Sequence, residues 1–169
     1  MLSDVNEATA RSEGAVERTR RGTAKVIDVL GIHCEWRIRE ADTGGHYCVL
    51  EMHVPPGAGV PPHQHAQQET FFIAEGAAEF ARVGPDGVQW FSVGPGDSVN
   101  VPAWAFHGFR NPTEQPARIL LICTPGIEQF FDRAGLPVSP GTPLPAGPPD
   151  PADIERVVKI AESDGQRFL

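Results

Sequence analysis

Residues 61–76 read PPHQHAQQETFFIAEG. Two histidines one residue apart are followed by a glutamate, and the run then turns apolar and stops at a glycine. Successive side chains of a strand alternate faces, so His63 and His65 project to the same side, close enough to share one ion. Glu69 has the same parity and follows the short AQQ interruption, so a modest kink brings its carboxylate to the same site. Donors from one loop leave a face of the ion open to exchange, and a further donor is expected from elsewhere. His107, in VPAWAFHGFRN, is the candidate.

Outward from this stretch, residues 23–124 form a series of short β-rich runs, among them HCEWRIRE, HYCVLEMHV, AAEFARV, VQWFSV and ARILLICT. Turn clusters such as DTGG, PPGAGVPP, GPDG and VGPGD separate them, the spacing of a small antiparallel sandwich or barrel. Residues 1–22 are polar and Ala/Glu/Arg-rich and read as an N-terminal arm. Residues 125–169 change character. IEQFFDRAGL reads as a short amphipathic helix, VSPGTPLPAGPPDP as an extended connector, and PADIERVVKIAESDG as a second helix with Pro151 near its first turn. Its stripe of Ile154, Val157, Val158, Ile160 and Ala161 is expected to pack on the outside of the barrel or on a partner subunit.

The 169 residues suit one domain, and 14 basic against 22 acidic residues argue against a nucleic-acid or anionic-membrane surface. With no secretory signal and no bilayer-length apolar run, a cytoplasmic location is expected. Cys34, Cys48 and Cys123 lie far apart among β-prone neighbours and read as buried free thiols. His33, His46 and His53 read as structural.

The spacing Gly57, five residues, His63, one, His65, three, Glu69, six, Gly76 matches the first cupin motif at every defined position. Gly96, five residues, Pro102, then His107 and Asn111, match the second, with Trp104 standing where a glycine is usual. The chain thus resembles the cupin superfamily. It is more particularly similar to small single-domain bacterial cupins of the quercetin-dioxygenase-like kind, with which TPGIEQFFDRAG, the proline-rich bridge and the final helix also agree. The resemblance covers residues 23–124. It implies an all-β double-stranded β-helix, a jelly-roll barrel, with a polar arm before it and short helices after it. It also implies one divalent transition ion (iron, manganese, nickel, cobalt or zinc) held inside by His63, His65, Glu69 and His107, with Glu69 able to take a substrate proton as well.

Such a ligand set leaves a charge near about +1 and about two open positions. Parity sends Phe71 and Ile73 inward with Glu69, and Phe109 inward with His107, giving an apolar-walled substrate site. Trp104, on the turn before His107, is a lid or a void-filler. In HYCVLEMHV either Tyr47, Val49, Glu51 and His53 or Cys48, Leu50, Met52 and Val54 face inward; the second set is the more core-like, and the first would place Glu51 and His53 near the site. The expected function is a metal-dependent dioxygenase acting on a small enolisable aromatic, flavonol-like or polyketide-like compound, with dioxygen as co-substrate. The alternatives are a non-redox cyclase or isomerase and a non-catalytic binding cupin. A homodimer that covers an edge strand is expected.

Overall fold

The computed structural model describes residues 16–139 and 141–169. Residues 1–15, most of the expected arm, and Pro140 of the connector lie outside the described residues. The strands are β1 (Val26–Val29), β2 (Ile32–Ile38), β3 (Cys48–Val54), β4 (Gly59–Gln64), β5 (Glu69–Glu75), β6 (Ala78–Gly84), β7 (Gly87–Val93), β8 (Ser98–Val101), β9 (His107–Arg110), β10 (Ala117–Cys123), β11 (Leu136–Val138) and β12 (Arg167–Phe168). The helices are α1 (Ile127–Ala134) and α2 (Pro151–Ser163). The strands form two antiparallel sheets, ordered β11-β1-β2-β3-β10-β5-β8 and β12-β4-β9-β6-β7. This is a jelly roll. No helix among the described residues is long and apolar enough to cross a membrane.

Alternation builds the core. Leu50, Met52 and Val54 of β3, Phe71 and Ile73 of β5, and Ile119 and Leu121 of β10 are buried on one face of their sheet. Each such side chain contributes about 1.5–3 kcal/mol by leaving water. Opposite them, Phe80 of β6 meets Phe71 edge-on at 5.0 Å between ring centroids and lies 5.7 Å from Phe109. The choice in β3 is therefore settled: Cys48, Leu50, Met52 and Val54 face in, while Glu51 and His53 lie on the outer face. There Arg37 forks between Glu51 (2.8 Å) and Glu35 (3.1 Å).

β4 differs from the sequence expectation, because its residues look like turn formers. The register runs Val60↔Phe109 and then His63↔His107, so three steps along β4 match two along β9. The extra residue is a bulge at Pro61 and Pro62, where a missing N–H costs no ladder bond. The bulge also corrects parity. Val60 and His63 would otherwise point to opposite faces; here both oppose inward-facing partners, and His63 lands directly beside His107.

The same crossing demands a glycine. A Cβ on Gly108 would lie 2.7 Å from the Val60 carbonyl oxygen and 3.0 Å from backbone atoms of both prolines. Gly108→Ala is therefore expected to push β9 from β4 and to lower stability by about 1–3 kcal/mol. Denaturant titration checks this, and an unchanged midpoint would contradict it.

Candidate metal centre

His63 ends the bulge of β4, His107 opens β9, and His65 follows β4, its carbonyl accepting the Trp104 N–H at 2.7 Å. Glu69 begins β5, wedged between Cys123 of β10 and Val101 of β8. All four side chains are buried. One ring nitrogen from each of His63, His65 and His107 lies within 4.8 Å of the others. Glu69 stands against this set: its Oε2 is 3.0 Å from Nε2 of His107 and 3.6 Å from Nε2 of His65.

Tautomers are set from outside. Nδ1 of His63 lies 2.9 Å from the Pro61 carbonyl oxygen, and Nδ1 of His107 lies 2.9 Å from that of Ala105. A carbonyl only accepts, so each Nδ1 carries the proton and each Nε2 offers a lone pair. The Nε2 of His107 then meets a Glu69 oxygen lone pair to lone pair, and it has no hydrogen-bond partner; neither has the buried Nδ1 of His65. Two buried acceptors face to face need a cation, either a proton or a metal ion. A divalent ion fits this donor set of imidazole and carboxylate.

The electrostatics agree. Burial, reinforced by His107, pushes His63 down to about 4, so it is neutral at physiological pH. Burial alone would raise Glu69, but the imidazoles of His107 and His65 beside it outweigh burial and hold the carboxyl down at about 2. For His107, burial is outweighed by the Glu69 carboxylate, and the pKa is raised.

Two other donor groupings occur among the described residues, Glu35/Glu51/His53 and Glu40/Cys48/Glu128. Both are already served by protein cations. Arg37 holds the first pair of carboxylates, and Arg39 donates to Glu128 at 2.6 Å. Burial also pushes the Cys48 thiol up to about 12. The remaining histidines stand apart: His33 pairs with Asp28 at 3.4 Å, His53 with Glu51 at 3.1 Å, and His46 is exposed.

A cavity of about 130 Å³ opens above the histidines. Phe71, Phe109 and Met52 wall it from the barrel, and Val157, Val158 and Phe168 wall it from the C-terminal segment. Of the residues expected to wall a substrate site, Phe71 and Phe109 line this cavity. Ile73 does not: it is wholly buried in the core. Trp104 is also absent from the lining and is 52% exposed, so it neither covers this cavity nor fills a void. Its φ of 63° explains why the motif favours a glycine at this turn.

The C-terminal segment corrects a further expectation. The stripe on α2 does not simply cover the barrel's outside; it forms one side of the cavity, with Phe168 of β12 paired to His63 of β4 and its ring 5.8 Å from the imidazole. Sequence reasoning missed this because β12 spans only Arg167–Phe168, too short to show alternation.

The cupin domain family model matches residues 50–123. The chain is 32% identical over 68 residues to a 5-nitrosalicylic acid 1,2-dioxygenase from a Bradyrhizobium species, covering 40% of this chain and 30% of that protein. It is 33% identical over 65 residues to a gentisate 1,2-dioxygenase from a Streptomyces species, covering 38% and 17%. The chain thus matches less than a third of either relative's length. Among solved structures, the polyketide cyclase RemF from Streptomyces resistomycificus aligns with a TM-score of 0.56 and 25% identity, over 64% of this chain and 79% of that one. Motif residues and jelly-roll topology agree with this match, and residues 50–123 carry a cupin domain.

Proposed function

We propose that the protein is a metal-dependent dioxygenase acting on a small oxygenated ring compound. The observation that carries this reading is the arrangement of three convergent imidazoles and one carboxylate at the floor of an apolar, ring-sized cavity. The likeness to two ring dioxygenases over the motif region supports it. An apolar cavity of about 150 Å³ takes up benzene, so about 130 Å³ suits a single ring better than a flavonol.

His63, His65 and His107 would hold the ion through ring nitrogens, and Glu69 would complete the set as a permanent anion. A divalent transition ion bound there supplies a Lewis acid and, if redox-active, a route for dioxygen to react with the ring. The low pKa of Glu69 makes it a weak base, which favours a ligand's role over proton transfer. Phe71 and Phe109 place the ring against the donors, and the apolar wall from α2 and β12 keeps bulk water away, strengthening the charge interactions at the floor. Both oxygen atoms enter the product, so no external reductant is required.

The likeness to a polyketide cyclase favours a second reading, a non-redox enzyme in which the same ion polarises a carbonyl. Dioxygen separates the two. The first reading expects iron- or manganese-loaded protein to consume about one dioxygen per gentisate or 5-nitrosalicylate turned over, with a loss of at least about 100-fold in His63→Ala and Glu69→Ala. Uptake equal to wild type in those variants would contradict it, and anaerobic turnover with zinc would transfer the case to the second.

Protons compete with the ion at His107, because its pKa is raised while His63 is neutral above about 4. Affinity for zinc, measured by competition with a chromophoric chelator, should rise severalfold, by no more than about tenfold, from about pH 5.5 to 6.5, as one proton leaves per ion bound. A pH-independent affinity would contradict this assignment.

A further inference from the structure

Every residue lining the cavity, apart from the histidines and Glu69 at its floor, presents an apolar or sulfur-bearing side chain or bare backbone, with one exception: Gln166. It is 7% exposed, and among the described residues its carboxamide makes no hydrogen bond. Its backbone is fixed from both sides. Gly165, at φ 85°, ends α2 in a Schellman turn, with the Gly165 N–H on the Glu162 carbonyl and the Gln166 N–H on the Ala161 carbonyl, both at 3.0 Å. On the other side Arg167 and Phe168 join β4 opposite Gln64 and His63.

The residue after the glycine of a Schellman turn usually packs an apolar side chain back onto the last helical turn. A glutamine here, lining an otherwise apolar cavity, puts an amide into the wall that no side-chain hydrogen bond of the fold accounts for. We propose that Gln166 is the substrate-orienting residue of the cavity: its carboxamide hydrogen-bonds an oxygen substituent of the bound ring and so selects oxygenated rings over plain ones. This rests on the oxygenase reading for the nature of the ligand, and on geometry for the position of the amide. It also gives the C-terminal segment a selective role, since α2 and β12 hold the group that reads the ring.

The test uses the full chain and Gln166→Met, a change that conserves volume and removes the amide. The probes are 5-nitrosalicylate, gentisate and benzene, with dissociation constants measured by calorimetry on zinc-loaded and metal-free protein. The expected result is an affinity for the two hydroxy acids about 10- to 100-fold weaker in the variant, benzene affinity within about twofold, and a Tm higher by about 2–4 °C. A glutamine that only supports the fold would instead lower Tm when replaced. A lowered Tm, an unchanged ratio of hydroxy-acid to benzene affinity, or no hydroxy-acid binding to either protein overturns the assignment. Failure of the protein to take up any metal sinks the oxygenase reading alone, because the ratio is then read on metal-free protein.

Discussion

The structure depends on two hydrogen bonds from imidazole to main chain. The carbonyl oxygens of Pro61 and Ala105 hold the Nδ1–H of His63 and of His107, and each bond turns an Nε2 lone pair into the barrel. Both carbonyls lie two residues before their histidine, so the chain path that brings β4 beside β9 also sets the tautomers. The bulge at Pro61 and Pro62 gives His63 its inward face, and Gly108 lets the two backbones come close enough for the histidines to meet. Removing any of these would leave the donors present but not convergent.

Burying Glu69 among those rings is costly unless its charge is met, and the orphaned nitrogen of His107 shows where the positive charge belongs. The charged groups of the outer sheet face are separate from this centre. Arg37 between Glu35 and Glu51 closes their charge within the protein, whereas the floor of the barrel contains only donors. That contrast marks the site more clearly than the number of histidines does. Around it α1 and α2 complete an apolar chamber, α1 through Ile127 and Phe131. Asp150 starts α2 by accepting the Ala152 N–H at 2.8 Å, and Arg133 of α1 pairs with Asp164 at its end, so the chamber's outer wall is anchored at both ends.

Much of this was legible in the residues. Alternation in β3, β5 and β10 is strong enough to assign strands, and the histidine and glutamate spacings point to side chains that the structure brings together. Strand β4 was hidden by its own prolines, which signal turns unless a bulge receives them. Ile73 shares parity with Phe71, but parity gives only a face; depth along the barrel decides which inward side chain meets the cavity and which fills the core. Trp104 was noticed as a departure from a motif, and the structure attributes the motif's glycine to a left-handed turn, not to access. Gln166 carried no signal in one sequence, because its meaning arises only when the C-terminus folds back against β4.

The central claim is that three imidazoles from two separate strand regions grip one ion. X-ray absorption of the protein loaded with one equivalent of zinc tests it most directly. The account predicts three imidazole nitrogens at about 2.0–2.1 Å with an oxygen shell at a similar distance. A spectrum with one imidazole or none, or with sulfur from the buried cysteines, would contradict it.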